Sequence, residues 1–516
     1  MAKPPDPSLI NDDIRPVPPE GRRWSVLNMA SLWVGMVVCV PTYMLAGGLI
    51  DQGMSWGQAV LTIMFGNVIV LVPMVLNGHP GTKYGIPFPV LARASFGIRG
   101  AHIPSLLRAL VACGWFGIQT WVGGSAIFQL LNVVTSGALT GEPLPVLGIG
   151  VGQALCFLGF WAVQLVIIHF GVETIRVFET FAAPFLIVAG LALLLWAYVA
   201  ADGFGPMLSQ PSAFAPGGEK EGRFLEVFFP SLTAMVGFWA TLSLNIPDFT
   251  RYARSQRDQI LGQALGLPTT MTLFAFIGVA VTGATQVIFG EIIWDPTVLL
   301  GRIGEAPGAS GTITVAVSLF ALSVATLSTN IAANVVSPAN VIINLNPARI
   351  TFRIGGYVTA GLGLVMFPWK LLETTGNYIF TWLIGYSALL GPIGGILVAD
   401  YFLLRRTHLD ADDLFRRDGR YNYLAGFNPV AVVALVLAVL PNLPGFLHVA
   451  GFLHAQDDHC RLANAAAVSD IPALWDQVYT YAWFVGFLLA GVLYLGGMLA
   501  FGKRPGRARV DDQVDD

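Results

Sequence analysis

The chain has 516 residues, 55% of them hydrophobic and only 11% charged, with a mean hydropathy of +0.67. A soluble domain carries about 25% charged residues, so the composition excludes a soluble globular protein and describes an all-α polytopic membrane protein. The net charge of −3 identifies no charged partner and gives no reason to expect nucleic-acid binding.

Residues 1–23 are rich in proline and charge and read as a flexible cytoplasmic arm without a cleavable leader. Apolar windows of about 20 residues then fall at roughly 27–50, 57–77, 106–133, 145–168, 178–200, 228–248, 268–290, 312–336, 354–372, 378–403, 428–447 and 478–501, which makes twelve spans. With the N-terminus inside, alternating loops leave 23 of the 28 Lys and Arg residues on the cytoplasmic side, and only Lys220, Arg223, Arg302, Lys370 and Arg461 outside. That asymmetry follows the positive-inside rule and puts both termini in the cytoplasm. The short termini suit a bacterial inner membrane.

Span 1, WVGMVVCVPTYMLAGG, contains Gly35, Pro41, Gly47 and Gly48; span 6, MVGFWATLSLNIPDF, contains Gly237 and Pro247. Spans interrupted by Gly and Pro at corresponding places in two halves are the sequence mark of an inverted-repeat transporter. The expected organisation is a first repeat at 24–200, an external loop at 201–227, a second repeat at 228–404, a cytoplasmic loop at 405–427, two further spans at 428–501 and a tail at 502–516. A broken helix frees main-chain carbonyls, which are tolerated at membrane depth only where they line a cavity.

Span 3 carries GWFGIQTW, with Trp115 and Gln119 one turn apart on one face, and Gly114 and Gly117 leaving room around the indole. An aromatic face beside an amide suits a flat, neutral, hydrogen-bonding ring. Trp239, next to the expected break in span 6, is placed to cover the other face of that ring. Span 8 carries ATLSTNIAAN, which crowds Ser328, Thr329, Asn330 and Asn334 into an apolar helix. Ala325, Ser328 and Thr329 share a face and offer oxygen donors for a small cation, while Asn334 offers an amide to a substrate. The alternative reading of these polar groups is helix–helix bridging.

Four cysteines suggest no disulfide framework, and His454, His459 and Cys460 match no metal-ligand spacing. Asp248 is placed to pair with Arg251. There is no phosphate-binding loop, catalytic triad or His-Glu-x-x-His helix. The absence of a mid-membrane carboxylate or histidine favours Na⁺ over H⁺ as the coupling ion. No cofactor beyond that ion is expected.

The segments NGHPGTKYGIPFPV (Asn77 to Val90), SFGIRGAHIP (Ser95 to Pro104), GWFGIQTW (Gly114 to Trp121), NIPDFTRYA (Asn245 to Ala253), STNIAAN (Ser328 to Asn334) and GYSALLGPIGGI (Gly385 to Ile396) resemble the nucleobase:cation symporter-1 family. The resemblance runs from about Arg23 to Tyr423 and is strongest to the uracil-transporting branch, with allantoin and hydantoin permeases close by. It implies a five-plus-five inverted repeat like that of the leucine transporter, with two C-terminal helices added. By resemblance, Na⁺ lies on the carbonyls of Gly35, Val38 and Ala325 and the hydroxyls of Ser328 and Thr329. The substrate lies between Trp115 and Trp239 and is held by Gln119 and Asn334. Cys39 and Phe238 stand where the hydantoin-transporting relative has glutamine and glycine, and both alter the pocket wall. Gly385 and Tyr386, with Ile384, are expected to line the gate. The implied activity is cation symport of a nucleobase or cyclic ureide. The competing readings are a proton-coupled allantoin, hydantoin or purine permease and, from other classes, a membrane-embedded enzyme or a channel.

Overall fold

The computed structural model describes residues 5–10, 14–145, 147–170, 172–304, 309–346, 349–450 and 472–501. Helix α1 (Val26–Val37) starts at a reciprocal cap in which the Ser25 hydroxyl and the Asn28 side chain serve each other's backbone N–H. It stops because the chain becomes extended at Cys39, with φ −150° and ψ 161°. Pro41, which has no N–H to leave unpaired, then sits in the first turn of α2 (Val40–Asp51). The two helices form one span bent by 62°.

Next come α3 (Trp56–Tyr84), α4 (Phe88–Phe96), α5 (His102–Thr135), α6 (Val151–Phe170), α7 (Val172–Ala200) and the short α8 (Phe204–Leu208). Helices α9 (Phe224–Phe238), α10 (Ala240–Asn245) and α11 (Pro247–Thr250) follow end to end. The chain continues through α12 (Gln256–Phe289), α13 (Pro296–Gly304), α14 (Ala309–Asn334), α15 (Val336–Leu345), α16 (Phe352–Val365) and α17 (Pro368–Leu371). Two π-helical stretches, Asn377–Leu383 and Ala399–Leu404, flank α18 (Ile384–Val398). The last helices are α19 (Pro429–Val439), α20 (Leu443–Val449), α21 (Ala473–Thr480) and α22 (Ala482–Phe501). Among the described residues, eight helical stretches are long and apolar enough to cross a bilayer, and the bent α1–α2 pair adds a ninth. Three shorter apolar helices are Pro184–Ala200, α9 and α16.

Two groups of helices surround the site. In one, α1 and α2 lie along α12, and α3 packs on α12, α9 and α10. In the other, α5 packs on α14, α6 and α16, while α18, packed mainly on α22, touches both α9 and α5. Lipid offers no hydrophobic drive to associate helices, so close approach at small residues does the work. A Cβ at Gly266 of α12 would stand 3.0 Å from the Ala30 Cα of α1, and one at Gly363 of α16 would stand 2.7 Å from the Cys113 carbonyl of α5. At its C-terminal end α18 leads into a buried clamp. Asp400 accepts hydrogen bonds from Tyr494 Oη at 2.6 Å, Arg405 Nε at 2.7 Å and Ser95 Oγ at 3.1 Å, tying α18, α22 and α4 together.

Several sequence expectations shift. Span 7 begins twelve residues earlier than its apolar window, because capped polar turns at Ser255 and Asp258 extend α12 beyond the hydrocarbon-like stretch. Span 9 ends at Val365, since Phe367 takes a left-handed φ of 50° before Pro368 opens α17. Span 6 is interrupted at Trp239, between α9 and α10, where the break is expected; Gly237 lies within α9, and a Cβ there would lie 2.7 Å from the Leu383 carbonyl. The Asp248 carboxylate accepts from the Phe88 N–H at 2.8 Å at the start of α4, while Arg251 Nε donates to the Asp248 carbonyl at 3.2 Å. A carboxylate at a helix N-terminus meets unpaired N–H groups and the positive end of the dipole. His454, His459 and Cys460 lie outside the described residues.

Candidate functional site

Trp115 is buried on α5 inside a cage of four aromatic rings, each meeting it edge-on. Phe238 lies at 5.3 Å between centroids, Trp382 at 6.0 Å, and Tyr378 and Tyr386 at 6.3 Å. Edge-to-face pairs satisfy the ring quadrupoles and hold the indole rigidly. Gly114 gives space to the Trp382 indole, whose ring tip would clash with any Cβ there, and Gly117 lets α16 approach through the Gly363 carbonyl. The two glycines therefore serve the neighbours of Trp115 more than Trp115 itself. One polar atom of the cage, Trp382 Nε1, is buried without a hydrogen-bond partner among the described residues.

Gln119 lies one turn along α5. Its side chain is only 6% exposed, and it makes no hydrogen bond among the described residues. Trp239 donates Nε1 to Asn67 Oδ1 at 2.8 Å and meets Trp33 edge-on at 5.3 Å. Asn67 is itself fixed through the Ile63 carbonyl at 2.7 Å. Phe238 touches both Trp115 and Trp239, the latter at 4.9 Å, and so stands between the two indoles. Cys39, at the break, is paired with the Thr42 hydroxyl at 3.3 Å. Asn334, at the end of α14, donates Nδ2 to Asn330 Oδ1 at 2.9 Å, leaving its own carbonyl oxygen open. Gly385 faces away from the cage, because a Cβ there would meet the Phe446 ring at 2.9 Å.

The break in span 1 also exposes oxygen. The carbonyls of Gly35 and Val38 accept no hydrogen bond among the described residues, since Val38 N turns back to Val34 O, Cys39 N to Val37 O and Thr42 N to Cys39 O. Open space lies beside Gly35. On α14 the Thr329 hydroxyl donates to the Ala325 carbonyl at 3.0 Å. The Ser328 side chain lies outside the described residues. Helix α14 packs on α5, α7 and α13, and no hydrogen bond among the described residues joins it to the break. The oxygen donors expected for a cation thus form two sets, one on each helix group.

A separate cavity of about 600 Å³ is bordered by Trp294, Asp295, Arg302 and Glu373. Tyr378 separates it from Trp115. This ring stacks on Trp294 at 6.5 Å and donates to the Pro41 carbonyl at 3.2 Å, which ties span 10 to broken span 1. Burial pushes the Asp295 carboxyl above its usual range despite two hydrogen bonds from Thr297.

Sequence inspection did not single out Asn67, Tyr378 or Trp382. Asn67 was detectable as a lone amide in the apolar run FGNVIVL, but the two span-10 aromatics look like any interfacial aromatic.

A broken span beside a buried aromatic and amide site, within a bundle of apolar helices, describes a membrane transporter. The family model for permeases of cytosine/purines, uracil, thiamine and allantoin matches residues 16–486, and the chain belongs to that family. It is 50% identical to the purine-uracil permease NCS1 of Arabidopsis thaliana over 97% of this chain and 79% of that protein. It is 41% identical to the allantoin permease of Bacillus subtilis, covering 94% and 92%. The structure superposes, with a TM-score of 0.72 and 27% identity over 95% of this chain and 96% of the other, on Mhp1, a nucleobase-cation-symport-1 family transporter, in a closed conformation with bromovinylhydantoin bound. The protein is an integral membrane permease, not an enzyme.

Proposed function

We propose that this permease imports a uracil-type nucleobase or a related cyclic ureide by Na⁺ symport, in a bacterial inner membrane with both termini cytoplasmic. Twelve spans are proposed, arranged as a five-plus-five inverted repeat with two helices added. The observation that carries the substrate class is a pair of buried amides, one on α5 a turn from Trp115 and one at the end of α14: among the described residues the Gln119 side chain has no hydrogen-bond partner, and the Asn334 oxygen accepts no hydrogen bond. A polar group left unpaired in a dry site costs stability, and a ring bearing N–H and C=O groups offsets that cost on binding. Trp115 and Trp239 would supply stacking surfaces, Cys39 and Phe238 would shape the wall, and Tyr386 would act at the span-10 gate.

The free carbonyls of Gly35 and Val38 suit a hard cation, with Ala325, Ser328 and Thr329 as its ligands from α14. Bringing the two sets together would couple the helix groups, so each ligand would raise the affinity of the other. One Na⁺ crossing ~100 mV gains about 2.3 kcal/mol, and a tenfold gradient adds about 1.4 kcal/mol. Together they sustain accumulation of a neutral substrate on the order of 500-fold.

The test is uptake of labelled uracil with and without Na⁺, competed by allantoin, hydantoin, cytosine and adenine, in the wild type and in Ser328→Ala with Thr329→Ala. Na⁺-dependent uptake that the double variant loses supports the reading. Uptake that survives Na⁺ removal and collapses with an uncoupler establishes the proton-coupled alternative instead.

A further inference from the structure

Gln164, the lone amide in the apolar stretch FWAVQLVIIHF of α6, and Asn330 on α14 are both fully buried. They belong to one hydrogen-bond chain that ends at Asn334. The Thr120 hydroxyl donates to the Phe116 carbonyl one turn back at 2.6 Å. Gln164 Nε2 donates to Thr120 Oγ1 at 3.0 Å. Asn330 Nδ2 reaches the Phe116 carbonyl at 3.0 Å, Thr120 Oγ1 at 3.2 Å and Gln164 Oε1 at 2.8 Å. Asn330 Oδ1 accepts from Asn334 Nδ2 at 2.9 Å.

The direction of every bond in this chain is dictated at its root. An amide's nitrogen and oxygen are assigned from their partners, and here the first partner admits one answer, because a main-chain carbonyl can only accept. The edge of Asn330 that meets Phe116 must therefore be its nitrogen, and its oxygen must face Asn334. That oxygen takes the nitrogen of Asn334, a residue 7% exposed, whose own oxygen accepts no hydrogen bond among the described residues. A flip of Asn334 would set oxygen against oxygen. Thr120 agrees with this sense: its proton is spent on Phe116, so toward Gln164 and Asn330 it only accepts. Gln119, by contrast, has no partner among the described residues and is free to present either edge.

We infer that Asn330, oriented by the Phe116 carbonyl, Thr120 and Gln164, fixes which way the Asn334 amide faces, so that the permease selects rings presenting a lactam or imide N–H at the edge that meets the Asn334 oxygen. This rests on the proposed role of Asn334 in holding substrate. Asn330 is a positioning residue with no contact to substrate of its own. Rings with an oxygen or a bare acceptor nitrogen at that edge are rejected, because they would set two acceptors face to face. A site built to pair one polar group discriminates far more strongly against its loss than an apolar pocket does against a change in size.

The test compares binding of uracil with that of its two ring-oxygen analogues, each replacing one N–H by O at nearly unchanged size, in purified protein. In the wild type one analogue is expected to bind at least about 100-fold more weakly than uracil. In Asn330→Leu, Asn334 loses its fixed acceptor and can turn its NH₂ to the ring oxygen, so that ratio is expected to fall to within about tenfold. Asn330→Asp, taken up as a neutral carboxyl, keeps a donor toward Phe116 and an acceptor toward Asn334 and is expected to restore the wild-type ratio. If Asn330→Leu gives no monodisperse protein, Asn330→Ser replaces it, since the shorter hydroxyl cannot span Phe116 and Asn334. A general loss of affinity with an unchanged ratio means that Asn330 is only structural and overturns the inference alone. No binding of uracil, allantoin, hydantoin, cytosine or adenine overturns the functional reading and this inference with it.

Discussion

Gln119→Ala separates a substrate ligand from a structural amide. Most buried polar side chains of this protein are tied to a neighbour, as Asn67 is to Ile63 and Trp239, so truncating one orphans another. Gln119 makes no side-chain hydrogen bond among the described residues, so its removal orphans nothing in the unliganded protein. The stability change is then limited to lost packing, roughly 0.8 kcal/mol per methylene, set against relief of an unpaired amide. The bound state differs. Two hydrogen bonds at about 1–1.5 kcal/mol each give a loss of roughly 2–3 kcal/mol, or about 30- to 150-fold in affinity. Equilibrium binding of labelled substrate to purified protein, with a thermal melt on the same sample, measures both quantities. A melting temperature that falls sharply would mean that Gln119 is structural. Unchanged affinity for every nucleobase and ureide would refute its role as a substrate ligand.

Gly114→Ala places a Cβ against the tip of the Trp382 indole, inside the cage around Trp115. Overpacking of this kind costs about 1–3 kcal/mol, and a lower melting temperature together with impaired substrate binding is expected; an unaffected melt would show that the cage yields easily. Asp400→Asn strips the carboxylate from a clamp in which Arg405 is 7% exposed and Asp400 1%. Leaving one member of a buried pair uncompensated costs about 3–5 kcal/mol. A large drop in thermal stability with substrate affinity within a few-fold of wild type is expected, and affinity lost at unchanged stability would contradict a purely structural clamp.

The membrane class, most of the spans and the interrupted span 1 were legible in the sequence, because they follow from composition, from windows of bilayer length and from local rules for proline and capping. Pro41 and the Ser25–Asn28 cap act within a few residues of themselves, so their effect needs no partner. Trp115, Gln119 and Asn334 were legible as out-of-place polar and aromatic groups in apolar helices, and family resemblance gave them roles. Their surroundings were not. That Gly114 makes room for Trp382, that Phe238 stands between Trp115 and Trp239, and that Gly385 turns toward Phe446 depend on which helices meet, and helices α5, α9 and α18 are far apart in the chain. The polarity of Asn334 is the sharpest case. The sequence supplies an amide, which is donor and acceptor alike. Only the tertiary structure, by setting Asn330 against a main-chain carbonyl of α5, decides which way its oxygen faces, because a carbonyl oxygen has no proton to give.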